Sequence, residues 1–203
     1  MRKQKLSKKH KVMRDVFEFL VTKNKDIITN NGSIDPVVTV VLYDKQKGIN
    51  LLPISLSDTD SPMERKLLLS SLARYMAEDN LKVEMFISIA EAWASKISKE
   101  EYKGEGYVRP SLDPRRVEAL VAGAVDSDGN VADAFFEIQR GGSKVSLVPL
   151  DADLDRKSTS DNGKVIWKTR VDQSVNGAFN SLLETAWSEY RRHKSLIKKS
   201  DKK

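Results

Sequence analysis

Three carboxylates and three arginines lie close together in the middle of the chain: Glu91, Arg109, Asp113, Arg115, Arg116 and Glu118. They stand at or near the ends of two apolar runs, Val83 to Trp93 and Val117 to Val125. A charge in such a position is paired with its opposite or open to a ligand. Pro110 and Pro114 stiffen the connection, which limits where Asp113 and its neighbours can go. Two chemistries fit. Arg–carboxylate forks, Glu91 with one arginine and Asp113 with another, would lock two neighbouring strands together, with Trp93 packed beneath. Alternatively, the segment forms an anion- or peptide-binding notch in which Arg109 and Arg116 touch the ligand. A third, catalytic reading would use Glu91, Asp113 and Glu118 to hold Mg²⁺.

Other chemistries lack their residues. The absence of cysteine removes disulfides, thiolate metal sites and cysteine nucleophiles, and suits a reducing compartment. The two histidines, His10 and His193, lie in basic ends without an acidic or serine neighbour at a useful spacing, which argues against a histidine base or a zinc site. Asp151, Asp153 and Asp155 imitate the start of a calcium loop. However, Arg156 stands where the turn glycine belongs and Asn162 where the closing acid belongs. The run Asp126-Ser127-Asp128-Gly129-Asn130 has the composition of a hairpin turn. Gly104 and Gly106 begin a glycine-rich loop without its third glycine. The sequence predicts no catalytic residue, metal or cofactor.

Charge marks a second candidate site. Residues 1–14 hold seven Lys/Arg and no acid, and residues 190–203 hold seven against Asp201 alone. These ends carry a net +13 in a chain of net +6, so the body between them is acidic at −7. Lys3, Lys5, Lys8, Lys9, Lys11, Arg191, Arg192, Lys194, Lys198 and Lys199 are the candidate contacts to nucleic acid or another anionic partner. The competing reading is a pair of solubilising tails. No secretory signal or membrane-length apolar stretch is visible, so the expectation is a cytoplasmic protein that does not engage a membrane.

The elements that must position these groups follow from periodicity. A helix is predicted from about Ser7 to Ile28, with Met13, Val16, Phe17, Leu20 and Val21 in phase and Asn30-Asn31-Gly32 as its stop. Val37–Tyr43 and Leu51–Ile54 form a hairpin whose Pro53 marks an edge strand. Ser61, Pro62 and Glu64 start a second helix with a capping box, and Leu68, Leu72 and Met76 form its stripe. Strands then follow at Val83–Ala90, Val117–Val125, Val131–Arg140, Lys144–Leu150 and Lys164–Val171, with Gly141-Gly142 as a two-residue loop. The last helix carries a wide stripe of Val175, Phe179, Leu182, Leu183, Ala186, Trp187 and Tyr190, with Asp172 or Ser174 as its cap. That stripe can pack on the sheet, on the first helix or on another subunit.

The fold expected is α+β: a single antiparallel β-meander sheet packed with an N-terminal helix, a middle helix and a long C-terminal amphipathic helix. Residues 1–14 form a basic N-terminal extension, 15–190 the domain and 191–203 a basic C-terminal tail. The segment Glu91-Ala-Trp93, followed by Arg109-Pro-Ser-x-Asp113-Pro-x-Arg116-x-Glu118-Ala-Leu120 and the Asp128-Gly129 turn, resembles a pattern in uncharacterised bacterial and bacteriophage proteins. The resemblance covers about residues 37–140 and implies the fold and a phage or mobile-element origin, but no activity. The expected function is a non-catalytic binding or assembly protein, a homo-oligomer or partner-bound through its C-terminal helix, with basic ends on an anionic partner. A nucleic-acid-binding accessory protein is the first alternative and the Mg²⁺-dependent enzyme the second.

Overall fold

The computed structural model describes residues 8–59, 61–95, 110–142, 144–150, 166–168 and 178–200. Three helices and seven strands are present among them: α1 (Lys8–Asn31), β1 (Val37–Asp44), β2 (Gly48–Ser55), α2 (Pro62–Glu78), β3 (Val83–Ser95), β4 (Arg116–Asp126), β5 (Val131–Gly141), β6 (Lys144–Pro149), β7 (Ile166–Lys168) and α3 (Ala178–Ser200). All strand pairs are antiparallel. The order is β2-β1-β3-β4-β5-β6, with β7 also on β5. The meander expected from the hairpins therefore runs β3 to β6, and the β1–β2 hairpin is added along the outer side of β3.

Residues directly opposite each other in an antiparallel pair face the same side of the sheet. One side carries Met85, Ile87 and Ile89 of β3, Leu120, Ala122 and Ala124 of β4, and Ala132, Ala134, Phe136 and Ile138 of β5. It packs against Met13, Phe17, Val21 and Ile28 of α1, which recur at helical spacing. The other side carries Val38 and Val40 of β1, Phe86, Val125 and Val131, under Leu69, Ala73 and Met76 of α2 and Leu182, Leu183, Ala186 and Trp187 of α3. Because helices cover both sides, β3 is buried through eight consecutive residues rather than every second one.

The helix ends are set by local chemistry. Gly32 adopts φ +86°, which favours glycine, and its N–H donates to the Ile28 carbonyl at 2.8 Å, closing α1. At the start of α2 the Glu64 N–H donates to Ser61 Oγ at 3.2 Å and the Ser61 N–H to Glu64 Oε2 at 3.0 Å. Ser61→Ala removes half of this reciprocal cap and is expected to cost about 1 kcal/mol in urea unfolding.

Some expected details are corrected. α2 buries Leu69, Ala73, Met76 and Ala77, so its inward stripe is turned from the Leu68-Leu72-Met76 line and Leu68 is exposed. Gly141 pairs with Lys144, which moves the β5–β6 loop one residue along. Of the strand expected over 164–171, Ile166–Lys168 is described; the 151–163 loop and the expected caps Asp172 and Ser174 lie outside the described residues. The basic residues from Arg191 to Lys199 continue α3 to Ser200.

Candidate functional site

The α1-facing side of the sheet changes character where α1 ends. Along β3, Ile89 is followed in phase by Glu91 and Trp93; along β4, Leu120 by Glu118 and Arg116; along β5, Ile138 by Arg140. The core thus gives way to charges on three adjacent strands, and these charges close on one another. The Arg140 guanidinium forks onto Glu118, with Nε to Oε2 at 2.8 Å and Nη2 to Oε1 at 2.7 Å, and its Nη2 also reaches Glu91 Oε2 at 3.1 Å. Its Nη1 donates to the Gly32 carbonyl at the end of α1. Glu91 Oε1 accepts the Ile34 N–H at 2.7 Å. One arginine therefore joins the C-terminus of α1 to β3, β4 and β5, and Glu91 adds the segment entering β1.

The two carboxylates differ electrostatically. Burial pushes the Glu91 carboxyl above its ordinary value; the Ile34 N–H opposes this, and the adjacent Glu118 adds to the rise. Glu118 is held below its ordinary value, first by its hydrogen bonds from Arg140.

The other expected members of this site are elsewhere. Asp113 is buried just after a 3₁₀ turn at Pro110–Leu112 and is satisfied locally. Its Oδ1 accepts the Arg115 N–H at 2.8 Å and Arg115 Nε at 3.2 Å, and these contacts hold its carboxyl below the usual range. Arg116 donates to the Ser111 carbonyl and lies 4.5 Å from the centre of the Trp93 ring, a cation–π contact at the surface. Trp93 is 48% exposed, so it stacks on Arg116 instead of packing beneath a lock. The arginine that pairs with Glu91 is Arg140, which lies outside the cluster singled out in the sequence. Arg109 lies outside the described residues. The sequence signal for Arg140 was its phase: it continues the inward positions Phe136 and Ile138.

Lys9 and Arg191, one from each basic end and far apart in sequence, both reach the β4–β5 turn at the opposite end of the sheet. A 24-residue helix and an 11-residue strand both span ~36 Å, so α1 runs the length of β5, from the β4–β5 turn to Arg140. At that turn Lys9 Nζ lies 2.6 Å from Ser127 Oγ, 2.9 Å from Glu84 Oε2 and 3.3 Å from Asp128 Oδ2. From α3, Arg191 Nη2 donates to the Ser127 carbonyl at 3.2 Å. Asp126 holds the turn itself, accepting the N–H groups of Asp128 and Asn130 at 2.8 Å each. Lys82 pairs with the second Glu84 oxygen at 2.6 Å. Burial raises the Glu84 carboxyl, but Lys82 and Lys9 outweigh it and hold the group below its ordinary value.

Trp187 and Tyr190 anchor α3 in place. Trp187 Nε1 donates to the Val125 carbonyl at 2.9 Å, and its ring meets Phe86 edge-on with centroids 5.0 Å apart. Tyr190 Oη donates to the Leu81 carbonyl at 2.6 Å. The stripe from Leu182 to Tyr190 is thus buried within the chain, which corrects the expectation that it would dock a partner. Beyond Tyr190, the helix presents Arg191, Lys194, Ser195, Lys198 and Lys199 around an open groove of about 440 Å³. Lys194 also donates to Asn80 Oδ1. Burial and then the like charge of Lys198 lower its ammonium below the ordinary value. Arg192 turns to Glu189 at 3.4 Å, and His193 Nε2 lies 3.6 Å from the same carboxylate, an acidic neighbour that the sequence reading overlooked. Lys11 is exposed on α1; Lys3, Lys5 and the side chains of Lys8 and His10 lie outside the described residues.

Among the described residues no three His, Asp or Glu side chains are grouped to hold a metal ion, and no helix is long and apolar enough to cross a membrane. The molecule is a layered α+β protein with a closed Arg–carboxylate cluster at one end of its sheet and a basic pole at the other. Residues 1–180 match the family described as bacteriophage lambda protein ea47, and the chain belongs to that family. The phage association expected from the resemblance is therefore borne out. No curated protein and no solved structure matches the chain.

Proposed function

We propose that this phage-family protein is a non-catalytic binding protein whose basic pole engages a polyanionic partner, with nucleic-acid phosphates as the class of ligand. The observation that carries this is the meeting of both basic ends at Ser127, through Lys9 of α1 and Arg191 of α3. Lys9 and Lys82 are spent on Glu84, which leaves Arg191, Lys194, Lys198 and Lys199 around the groove as the principal contacts. Lys194 and Lys198 stand one helical turn apart and repel each other, a cost that a bound phosphate relieves. Residues 1–7 add Arg2, Lys3 and Lys5. Covalent geometry alone keeps Lys5 within ~14 Å of Lys9.

The closed cluster at the other end supports a binding role over a catalytic one. Glu91 and Glu118 direct all four carboxylate oxygens to donors of the chain itself. In this reading Glu91, Glu118 and Arg140 lock α1 to the sheet, and the lock helps set where the basic end of α1 lies.

The test is fluorescence anisotropy of the full chain with a labelled DNA duplex over a salt series. The four α3 contacts together with Lys3 and Lys5 predict a fall of log affinity against log salt with a slope of about −5.4. Lys194→Glu combined with Lys198→Glu is expected to abolish binding at moderate salt while leaving the unfolding curve unchanged. Absence of binding at low salt, or binding indifferent to this pair, overturns the proposal.

A further inference from the structure

The outer ridge of α2 has no partner among the described residues. Met63, Leu67, Ser71 and Tyr75 recur every four residues along its exposed face, with Met63 65%, Leu67 56% and Tyr75 57% exposed. Beside it, Leu68 is 38% exposed. Four apolar side chains grouped on one helix mark an interaction surface rather than scattered exposure.

The arrangement of the ridge names its occupant. Laid antiparallel across a copy of itself about the level of Leu69, α2 sets Met63 against Tyr75 and Leu67 against the small Ser71, twice over. The same operation sets Glu64 against Arg74, again twice, whereas a parallel arrangement would oppose like charges. Charge on the helix is balanced, with Glu64, Glu78 and the C-cap Asp79 against Arg65, Lys66 and Arg74. Two copies of a chain of net +6 can therefore approach along it without strong repulsion. Arg74 now pairs with Glu78 at 2.8 Å, both of them well exposed. Such surface pairs contribute little, so Arg74 can be redirected to a second copy at small cost.

We propose that this ridge is the contact of a two-fold dimer, in which α2 packs antiparallel on α2 of a second copy. The inference is independent of the anion-binding role assigned to the basic pole.

Sedimentation equilibrium of the full chain over a concentration series tests it. The expected wild-type result is a reversible monomer–dimer equilibrium. Leu67→Glu places a charge at the centre of the contact and should weaken dimerisation at least ~10-fold. Its unfolding midpoint, measured at a concentration where both proteins are monomeric, should not change, because Leu67 is exposed. Arg74→Glu should also weaken the dimer by opposing Glu64, and adding Glu64→Lys should restore dimerisation while lowering the unfolding midpoint, because it also removes the bond from the Ser61 N–H. A wild-type chain that stays monomeric, grows beyond a dimer, or dimerises regardless of Leu67→Glu overturns the proposal. Failure of the charge-swapped pair to recover dimerisation overturns the antiparallel register.

Discussion

Replacing Trp187 with alanine is expected to lower the stability of the chain by about 3–5 kcal/mol, the usual cost of deleting a large buried aromatic. Trp187 is 4% exposed and does three things at once. It fills the space between α3 and the sheet, it meets Phe86 and Tyr190 edge-on, and its indole N–H satisfies the buried Val125 carbonyl. Alanine leaves a cavity and an acceptor without its donor. Trp187→Phe separates the two effects, since it keeps most of the ring and loses the hydrogen bond; about 1–2 kcal/mol is expected. Urea unfolding followed by circular dichroism measures both. A loss under 1 kcal/mol for Trp187→Ala would mean that α3 is not anchored here. The expected loss is large against the 5–15 kcal/mol of a typical domain, and it bears on function because α3 carries the basic pole.

Arg140→Met should cost about 2 kcal/mol at pH 7. Breaking a buried ion pair costs 3–5 kcal/mol and an exposed one 0–1; Arg140 is 38% exposed and its partners less so, which places it between these limits. The deficit should depend on pH. In the wild-type protein Glu118 has a lowered folded value, so its stabilising contribution is present above the ordinary glutamate value, ~4.3, and fades as pH falls through the folded one. Glu91 has a raised folded value, so it opposes folding once ionised and is relieved by acid. Without Arg140 both carboxyls are raised, and protonation then favours the folded variant. The gap between variant and wild type is thus largest near neutral pH and narrows as pH falls toward ~4.3. In a chain already carrying Glu91→Gln and Glu118→Gln, Arg140→Met should cost much less. A pH-independent deficit, or an equal one in that background, would show that the arginine acts through packing alone.

Local chemistry explains which parts of this architecture were legible in the sequence. The capping box at Ser61 and Glu64, the stop at Gly32, the Asp126–Asn130 turn and the α3 stripe each depend on residues close in sequence, and each predicted its element. The failures involve long-range partners. Arg140 sits 49 residues from Glu91 and 22 from Glu118, and no local pattern ties them. The nearer arginines at 115 and 116 were the natural candidates, but Asp113, Ser111 and Trp93 engage them first. The orientation of α2 was misjudged because apolar residues surround it: Leu67, Leu68, Leu69 and Leu72 supply two competing stripes, and the sheet selects the one through Leu69 and Ala73. Glu84 is buried between Lys9 and Lys82, and no local pattern ties it to Lys9. The basic ends were recognised from composition, whereas their meeting follows from the match in length between α1 and β5.

The central claim is that two basic ends act as one anion site, and a salt-slope comparison on a DNA duplex tests it most directly. Lys3→Gln with Lys5→Gln alters the first end, and Lys198→Gln with Lys199→Gln the second. Each pair is expected to reduce the magnitude of the slope by about 2, as loss of two phosphate contacts requires, and all four substitutions together should leave only the shallow slope of about −1.8 that Arg191 and Lys194 supply. A slope that responds to one end only, or to neither, contradicts the account.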